Sequence, residues 1–116
     1  MQPLSAMDVA ISHHIDASEP DENGFYDYHY EYDIYEFERA GRTYFVRAYV
    51  DEPDQAAFMS CLEAGKARLL DADDLMHPLL LDAARYLHAA GKMQLDRLSE
   101  FDGYVRLELP APPDRD

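Results

Sequence analysis

The chain has 116 residues, one cysteine and a net charge of −14 at pH 7. This length predicts a single domain with its own hydrophobic core, while one cysteine excludes an intrachain disulfide and fits a reducing compartment. The negative charge repels nucleic acids and anionic membranes and favours encounters with basic surfaces, so a nucleic-acid partner is not expected.

The first predicted element covers residues 7–16. Alternation of Met7, Val9 and Ile11 indicates a short strand, although the four-residue spacing of Met7, Ile11 and Ile15 fits a helix nearly as well. The residues before it carry no basic region and no long apolar run, so no signal peptide is expected. No part of the sequence approaches the roughly 20 apolar residues of a membrane-spanning helix. We therefore expect a cytoplasmic protein without a membrane partner.

The clearest element is a hairpin formed by residues 25–38 and 43–50. Tyrosines alternate with polar side chains in the first strand, and the alternation shifts phase at Ile34 and Tyr35. Such a phase shift is typical of a β-bulge. The turn between the strands contains Gly41, which accepts positive φ. The return strand is apolar on both faces and is predicted to be central in its sheet.

Two helices are predicted next. The first has Asp51 as its N-cap, runs to about Ala64 and has Gly65 past its end. The second passes through Pro78 and ends at Gly91. Their inner stripes consist of Ala56, Met59 and Leu62 in the first helix, and of Leu80, Ala83, Ala84 and Leu87 in the second.

A second hairpin is predicted from residues 93–98 and 104–109, and the Pro-rich tail 110–116 is expected to be disordered. Hairpins separated from helices indicate an α+β fold. Residues 1–109 are thus predicted to form a single α+β domain. Its mainly antiparallel sheet would consist of two β-hairpins, with an N-terminal strand as a further member, and two helices would pack on one face.

The most distinctive stretch is an acidic run interleaved with tyrosines, which contains ten carboxylates before the first basic residue, Arg39. Tyrosines are typical of interface hot spots, and carboxylates attract a basic partner. A core-facing aromatic side and a solvated acidic side, paired with Arg42 and Arg47 across the hairpin, would explain the same pattern. The predicted partner-binding residues are Asp27, Tyr28, Tyr30, Glu31, Tyr32, Asp33, Tyr35, Glu36 and Glu38.

Other clusters do not predict a chemical site. His13 and His14 are adjacent, so on a strand their side chains point to opposite faces and no metal site is expected. Residues 71–82 lack the glycine and the final glutamate of a calcium-binding loop. Cys61 has no histidine near it in its predicted helix, so a buried structural thiol is expected. The sequence therefore predicts no catalytic residue and no cofactor.

The leading hypothesis is a non-enzymatic acidic protein-binding domain, in its most concrete form an immunity or inhibitor-type protein for a basic partner. One alternative is a DNA-mimic protein, whose carboxylates would be spaced like phosphates on one continuous surface. Another is a small-ligand-binding or enzymatic domain with a tyrosine-lined pocket between sheet and helices. A homodimer that pairs through the apolar edge strand at residues 104–109 is a further alternative.

Overall fold

The computed structural model describes residues 7–107, which build a mixed seven-stranded sheet with a helix on one face. The strands are β1 (Asp8–Ala17), β2 (His29–Arg39), β3 (Arg42–Tyr49), β4 (Gln55–Glu63), β5 (Lys66–Arg68), β6 (Gln94–Ser99) and β7 (Gly103–Arg106). A 3-10 helix (Ala72–Met76) and the helix α1 (Pro78–Ala89) lie between β5 and β6. The order across the sheet is β1-β2-β3-β4-β6-β7, and β5 pairs with the end of β4.

The helix α1 is part of a crossover. Strands β4 and β6 are parallel neighbours, and parallel strands need a long connection over one face of the sheet. The chain from β5 through α1 makes this connection and buries the predicted stripe, which is therefore confirmed: Leu80, Ala83, Ala84 and Leu87. These side chains belong to the same core as the buried sheet residues Tyr35, Phe37, Tyr44, Val46, Phe58 and Leu95.

The predicted fold, with two helices on two antiparallel hairpins, is wrong because the segment read as the first helix is the strand β4. Ala56, Phe58 and Cys61 are its buried residues. Between β3 and β4 the register shifts, so that Met59 is an extra residue. This bulge changes the spacing of buried residues from two to three, and a mixed spacing of this kind resembles a helical stripe. Pairing with β3 and β6 then outweighs the local helix propensity.

The bulge predicted at Ile34 and Tyr35 is also wrong, since β2 keeps a continuous register with β1 and with β3. The phase of the apolar pattern shifts there because the apolar side chains of β2 change from the open side of the sheet to the side under α1. Tyr35 and Phe37 contact the core under α1, whereas Tyr30 and Tyr32 point to the opposite face. A change in the face that carries the apolar side chains therefore mimics a bulge in the sequence.

Several other predictions are confirmed. Of the two readings left open for residues 7–16, the strand is correct and the helix is not; β3 lies inside the sheet, and the turn before it has Gly41 at φ +84°. α1 is followed by Gly91 at φ +93°. β6 and β7 form the second hairpin as far as Arg106; residues 108 and 109 and the tail 110–116 lie outside the described residues. No helix among residues 7–107 is long and apolar enough to cross a membrane.

The sheet has two unequal faces, which we call the helix face and the open face. The helix face carries α1 over strands β2 to β6 and includes the buried residues Tyr35, Tyr44 and Phe58. The open face is made by the alternate residues of the same strands. No element of residues 7–107 covers it, and four of its tyrosines and an arginine lie together there.

Candidate protein-binding face

The structure divides the predicted binding residues between the two faces of β2. Asp27 lies in an exposed bend before the strand, and Tyr28 precedes the strand and stacks on Tyr30 with ring centroids 6.1 Å apart. The remaining open-face members are Tyr30, Tyr32, Glu36 and Glu38, and the helix-face members are Glu31, Asp33 and Tyr35. Tyr35 is only 8% exposed, so its ring packs in the core and is not offered to a partner.

The open face carries a connected aromatic cluster. The ring of Tyr49 makes edge-on contacts with Tyr30 and Tyr32, with centroid distances of 6.1 and 5.6 Å. His14 stacks on the outer side of Tyr32 at 5.5 Å. Edge-on and offset contacts of this kind hold rings in fixed positions. Tyr30 nevertheless remains 53% exposed, so the cluster offers a rigid aromatic surface to the solvent.

Arg47 lies at the centre of this cluster. Its guanidinium carbon is 4.3 Å from the ring centroid of Tyr32, and its Nη1 donates a hydrogen bond to the Tyr49 hydroxyl at 3.3 Å. The hydrogen bond to Tyr49 raises the pKa of Arg47, so the group remains charged. No carboxylate among residues 7–107 forms an ion pair with it. We call Arg47, Tyr30, Tyr32, Tyr49 and the nearby Tyr104 the tyrosine–arginine cluster.

A shallow groove of about 160 Å³ lies beside this cluster. Its lining includes Arg47, Tyr49, Glu52, Gln55, Asp96 and Tyr104. The Tyr104 hydroxyl lies 3.7 Å from the Met59 sulfur, so the bulged residue of β4 supports the groove from one side. The groove is smaller than typical small-molecule pockets of roughly 300–1,000 Å³, whereas one side chain of a protein partner fits its size.

One end of the open face is strongly acidic. Asp8 on β1 lies directly opposite Glu38 on β2, and Glu36 follows two residues away on the same face. These three carboxylates line a common depression with Thr43. None of them forms an ion pair with a basic side chain of residues 7–107. Like charges opposite each other are destabilising in a sheet, so this acidic end costs stability in the isolated chain.

The acids on the helix face have a different environment. His13 of β1 lies opposite Asp33 and bridges two carboxylates, with Nδ1 2.6 Å from Asp33 and Nε2 2.7 Å from Glu31. Both hydrogen bonds raise the pKa of His13 above its usual 6.5, and the bond to Asp33 has the larger effect. The acidic row therefore has a histidine as its cross-strand partner. The prediction that Arg42 and Arg47 would pair with this row is wrong.

Arg42 instead belongs to a buried network around Asp74. The Asp74 carboxylate is fully buried and accepts hydrogen bonds from Tyr44, Arg42, Arg68 and the Asp71 amide. Burial by itself would raise the pKa of Asp74, but the bonds from Arg68, Tyr44 and Asp71 outweigh it and lower the pKa to about 2. Glu63 pairs with both arginines, so the network joins β3, β4, β5 and the 3-10 helix.

The remaining candidates are placed as follows. The side chains of His13 and His14 lie on opposite faces, as the strand geometry predicts. No cluster of three metal-ligating side chains occurs within residues 7–107. Cys61 is buried and unpaired, and burial raises the pKa of its thiol, so the thiolate is disfavoured.

Sequence reasoning missed Arg47, Tyr49 and Tyr104 as members of the candidate face. The missing information was register: Tyr32 lies opposite Tyr49, and Tyr104 comes from the far end of the sheet. The alternation in the return strand would have identified Tyr49, because Tyr49 is two residues after Arg47 and therefore lies on the same face of the strand. No family model, curated protein or solved structure matched the chain.

Proposed function

We propose that the chain is a non-enzymatic protein-binding domain that holds a basic protein against its open face, as a small inhibitor or immunity-type protein would. The observation that carries this proposal is the tyrosine–arginine cluster on a sheet face that α1 does not cover. Tyrosine and arginine are enriched among residues that dominate binding energy at protein interfaces. A rigid aromatic surface also loses little side-chain entropy when a partner binds.

The charge of the open face supports a basic partner. Asp8, Glu36 and Glu38 are placed close together, and none of them forms an ion pair with a basic side chain of residues 7–107. Lysine or arginine side chains from a partner would relieve their mutual repulsion. Such complementarity mainly speeds association and selects partners. The acidic end therefore steers the partner, and the aromatic cluster retains it.

Arg47 has a separate role in this proposal. Its guanidinium carbon lies 4.3 Å from the Tyr32 ring centroid, Nη1 donates to the Tyr49 hydroxyl and Nε is buried, which leaves the Nη2 donors for a partner. These donors suit backbone carbonyls or a carboxylate of the partner. The groove beside Arg47 contains two tyrosines, Asp96, which pairs with Arg106 at 3.2 Å, and Glu52, which has no ion pair within residues 7–107, so Glu52 and the rings suit one cationic side chain of the same partner.

The other hypotheses find less support. A DNA mimic needs one continuous acidic surface, whereas Glu31 and Asp33 are on the helix face and Glu36 and Glu38 are on the open face. A small-ligand site was expected between sheet and helix, where the core is filled by buried side chains. The single buried cysteine fits the reducing environment of the cytoplasm, which is where we place the protein.

The test begins with capture of partners from native cytoplasm on the immobilised chain at low salt, followed by elution with rising salt. Association of the captured basic protein is then measured with a triple variant of the acidic end, Asp8→Asn, Glu36→Gln and Glu38→Gln. We expect slower association and a weaker salt dependence. Arg47→Ala is expected to accelerate dissociation instead, because it removes an anchor rather than a steering charge.

The matched control changes net charge by the same amount elsewhere, through Glu19→Gln, Glu22→Gln and Glu100→Gln, which are exposed loop positions. This control is expected to retain most of the association rate. Two results would contradict the proposal. One is that no basic protein is retained at low salt. The other is that both triple variants slow association equally, since the effect would then reflect total charge and not the open face.

A further inference from the structure

Within residues 7–107, strand β1 is an uncovered edge of the sheet. It pairs with β2 on one side only, and no strand of residues 7–107 pairs with its outer side. Natural edge strands usually carry lysine, proline or a bulge that prevents pairing with another chain. β1 is ten residues long, contains neither lysine nor proline and keeps a continuous register with β2. Its outer edge therefore lacks these common protections.

The hydrogen bonds around β2 identify which residues of β1 present this edge. The Ser18 amide donates to the Tyr28 carbonyl, and the Val50 amide donates to the Glu31 carbonyl. Even-numbered residues of β2 therefore bond towards β1, and odd-numbered ones bond towards β3. Because paired positions in β1 and β2 have the same parity, the odd-numbered residues of β1 direct their N–H and C=O groups outward.

The outward residues are arranged symmetrically about His13. In order they are Val9, Ile11, His13, Ile15 and Ala17, with apolar side chains at equal distances on both sides of the histidine. Ile11 is 52% exposed and Ile15 is 62% exposed, so both present apolar surface beside the free edge. A strand with this pattern is complementary to its own antiparallel copy.

We propose that two copies of the chain pair along β1, antiparallel, about a two-fold axis through His13, so that their sheets join into one. In this register Ile11 lies opposite the partner's Ile15, and each outward pair exchanges two N–H···O bonds. On the open face Ala10 lies opposite the partner's Asp16. No carboxylate of β1 is then opposite another, and the two His13 rings, which face each other at the axis, are each hydrogen-bonded to Asp33 and Glu31 of their own chain. This interface is separate from the proposed docking of a basic protein on the open face.

Both neighbouring registers are less favourable, since an axis through His14 would place Ile15 opposite the partner's His13 and lose the isoleucine pair. If the axis passed through Ser12, Asp8 would lie opposite the partner's Asp16 twice, and like charges directly opposite each other destabilise a sheet. A second copy is also a better occupant than a basic strand, because the symmetry about His13 matters only to an identical strand. The two chains repel each other through their net charge of −14, so salt should strengthen the dimer.

The first test is the mass of the whole chain by sedimentation equilibrium as a function of concentration, at about 0.1 and about 1 M salt, where the Debye length is roughly 10 and 3 Å. We expect a monomer–dimer equilibrium that tightens at high salt. Binding of a basic protein to the open face should weaken under the same change. The direction of the salt effect therefore distinguishes failure of this proposal from failure of the proposed function.

Ile15→Pro removes an outward amide without removing a hydrogen bond to β2, so the chain should remain folded. The dissociation constant of the dimer should rise at least about tenfold. Ile15→Lys, which keeps the amide, is the second variant and should also weaken the dimer. The matched control is Tyr104→Pro in β7. The Leu107 amide donates to the Leu95 carbonyl of the neighbouring chain segment, so odd-numbered residues of β7 bond towards β6 and the Tyr104 amide points away from it. Tyr104→Pro therefore removes an outward amide at the opposite edge of the sheet, and this variant should dimerise normally.

Cysteine substitution checks the register, since the native Cys61 is buried. His13→Cys lies on the proposed axis and should form an intermolecular disulfide, with Cα atoms about 5.5 Å apart in such a pair. In Ser12→Cys the two introduced cysteines would lie diagonally across the interface, with Cα atoms roughly 8 Å apart, so they should not form a disulfide. A single-chain mass under all conditions would overturn the proposal. So would a dimer that is sensitive to Tyr104→Pro and insensitive to both Ile15 variants, or equal cross-linking of the two cysteine variants.

Discussion

The hydroxyl of Tyr44, in the centre of the sheet, donates a 2.6 Å hydrogen bond to the carboxylate of Asp74 in the 3-10 helix, and both side chains are fully buried. This bond ties the start of the crossover to β3. Asp74 also accepts from Arg68 at 2.6 Å and from the Asp71 amide at 2.8 Å. The only buried carboxylate of the described residues is thus surrounded by donors, and the cost of burying its charge is offset.

Asp74→Asn is expected to destabilise the chain by about 1–3 kcal/mol, because Arg42 and Arg68 lose their buried counter-charge and keep only the partly exposed carboxylate of Glu63. The free energy of unfolding in urea measures this loss. Asp73→Asn is the matched control, since Asp73 is exposed in the same 3-10 helix and its loss should stay within about 0.5 kcal/mol. Equal effects of the two variants would mean that the network contributes little.

The same carboxylate should make the chain sensitive to acid. The pKa of Asp74 is lowered from 3.8 to about 2 in the folded chain, so the unfolded chain binds more protons between these values. The stabilisation is therefore fully present above about pH 4 and is lost as pH falls towards 2, with a total of about 2 kcal/mol. Unfolding free energies between pH 5 and 2 should show this slope in the natural chain. The slope should be smaller in Asp74→Asn.

The contribution of His13 to stability should depend on pH in the opposite direction to that of Asp74, because it is lost as pH rises. Hydrogen bonds to Asp33 and Glu31 raise its pKa above 6.5, so the folded chain holds this proton more tightly than the unfolded chain does. The contribution is present below about pH 6.5 and is lost as pH rises through the folded pKa. An NMR titration of the His13 ring should show the raised pKa.

The matched comparison for His13 is the pH dependence of unfolding in the natural chain and in His13→Gln, which keeps a polar side chain but cannot titrate. The difference between the two free energies should shrink from pH 6 to pH 9. A difference that stays constant over this range would show that the ring does not hold β1 through its charge.

Much of the fold follows from local patterns. The stripe of α1 and the turn at Gly41 are determined by residues close in sequence, and both were predicted correctly. The strand β4 was not, because its pairing with β3 and with the distant β6 decides its conformation, and the bulge at Met59 hides its alternation. The candidate face depends on the same long-range register, which is why Tyr104 could not be placed beside Tyr49 from the sequence.

Tyr32 and Tyr35 provide the sharpest separation of binding from folding, because they are three residues apart on β2 and lie on opposite faces of the sheet. Tyr35 stacks on Phe37 at 5.9 Å beneath Tyr86 of α1, so Tyr35→Ala should cost about 3–5 kcal/mol of stability by leaving a cavity in the core. Tyr32 contacts Arg47 on the uncovered side. Tyr32→Ala should cost less, about 1–2 kcal/mol, by loss of its partly exposed contacts with Arg47, Tyr49 and His14.

Urea unfolding of both variants, followed by partner binding for the one that remains folded, gives the decisive comparison. Tyr32→Ala should unfold close to the natural chain and lose at least about tenfold in affinity, as expected for an interface hot spot. Tyr35→Ala should bind normally in whatever fraction stays folded, because its ring never reaches the partner. If Tyr32→Ala instead binds with full affinity, the aromatic cluster is not the docking surface, and the acidic end would have to account for binding without it.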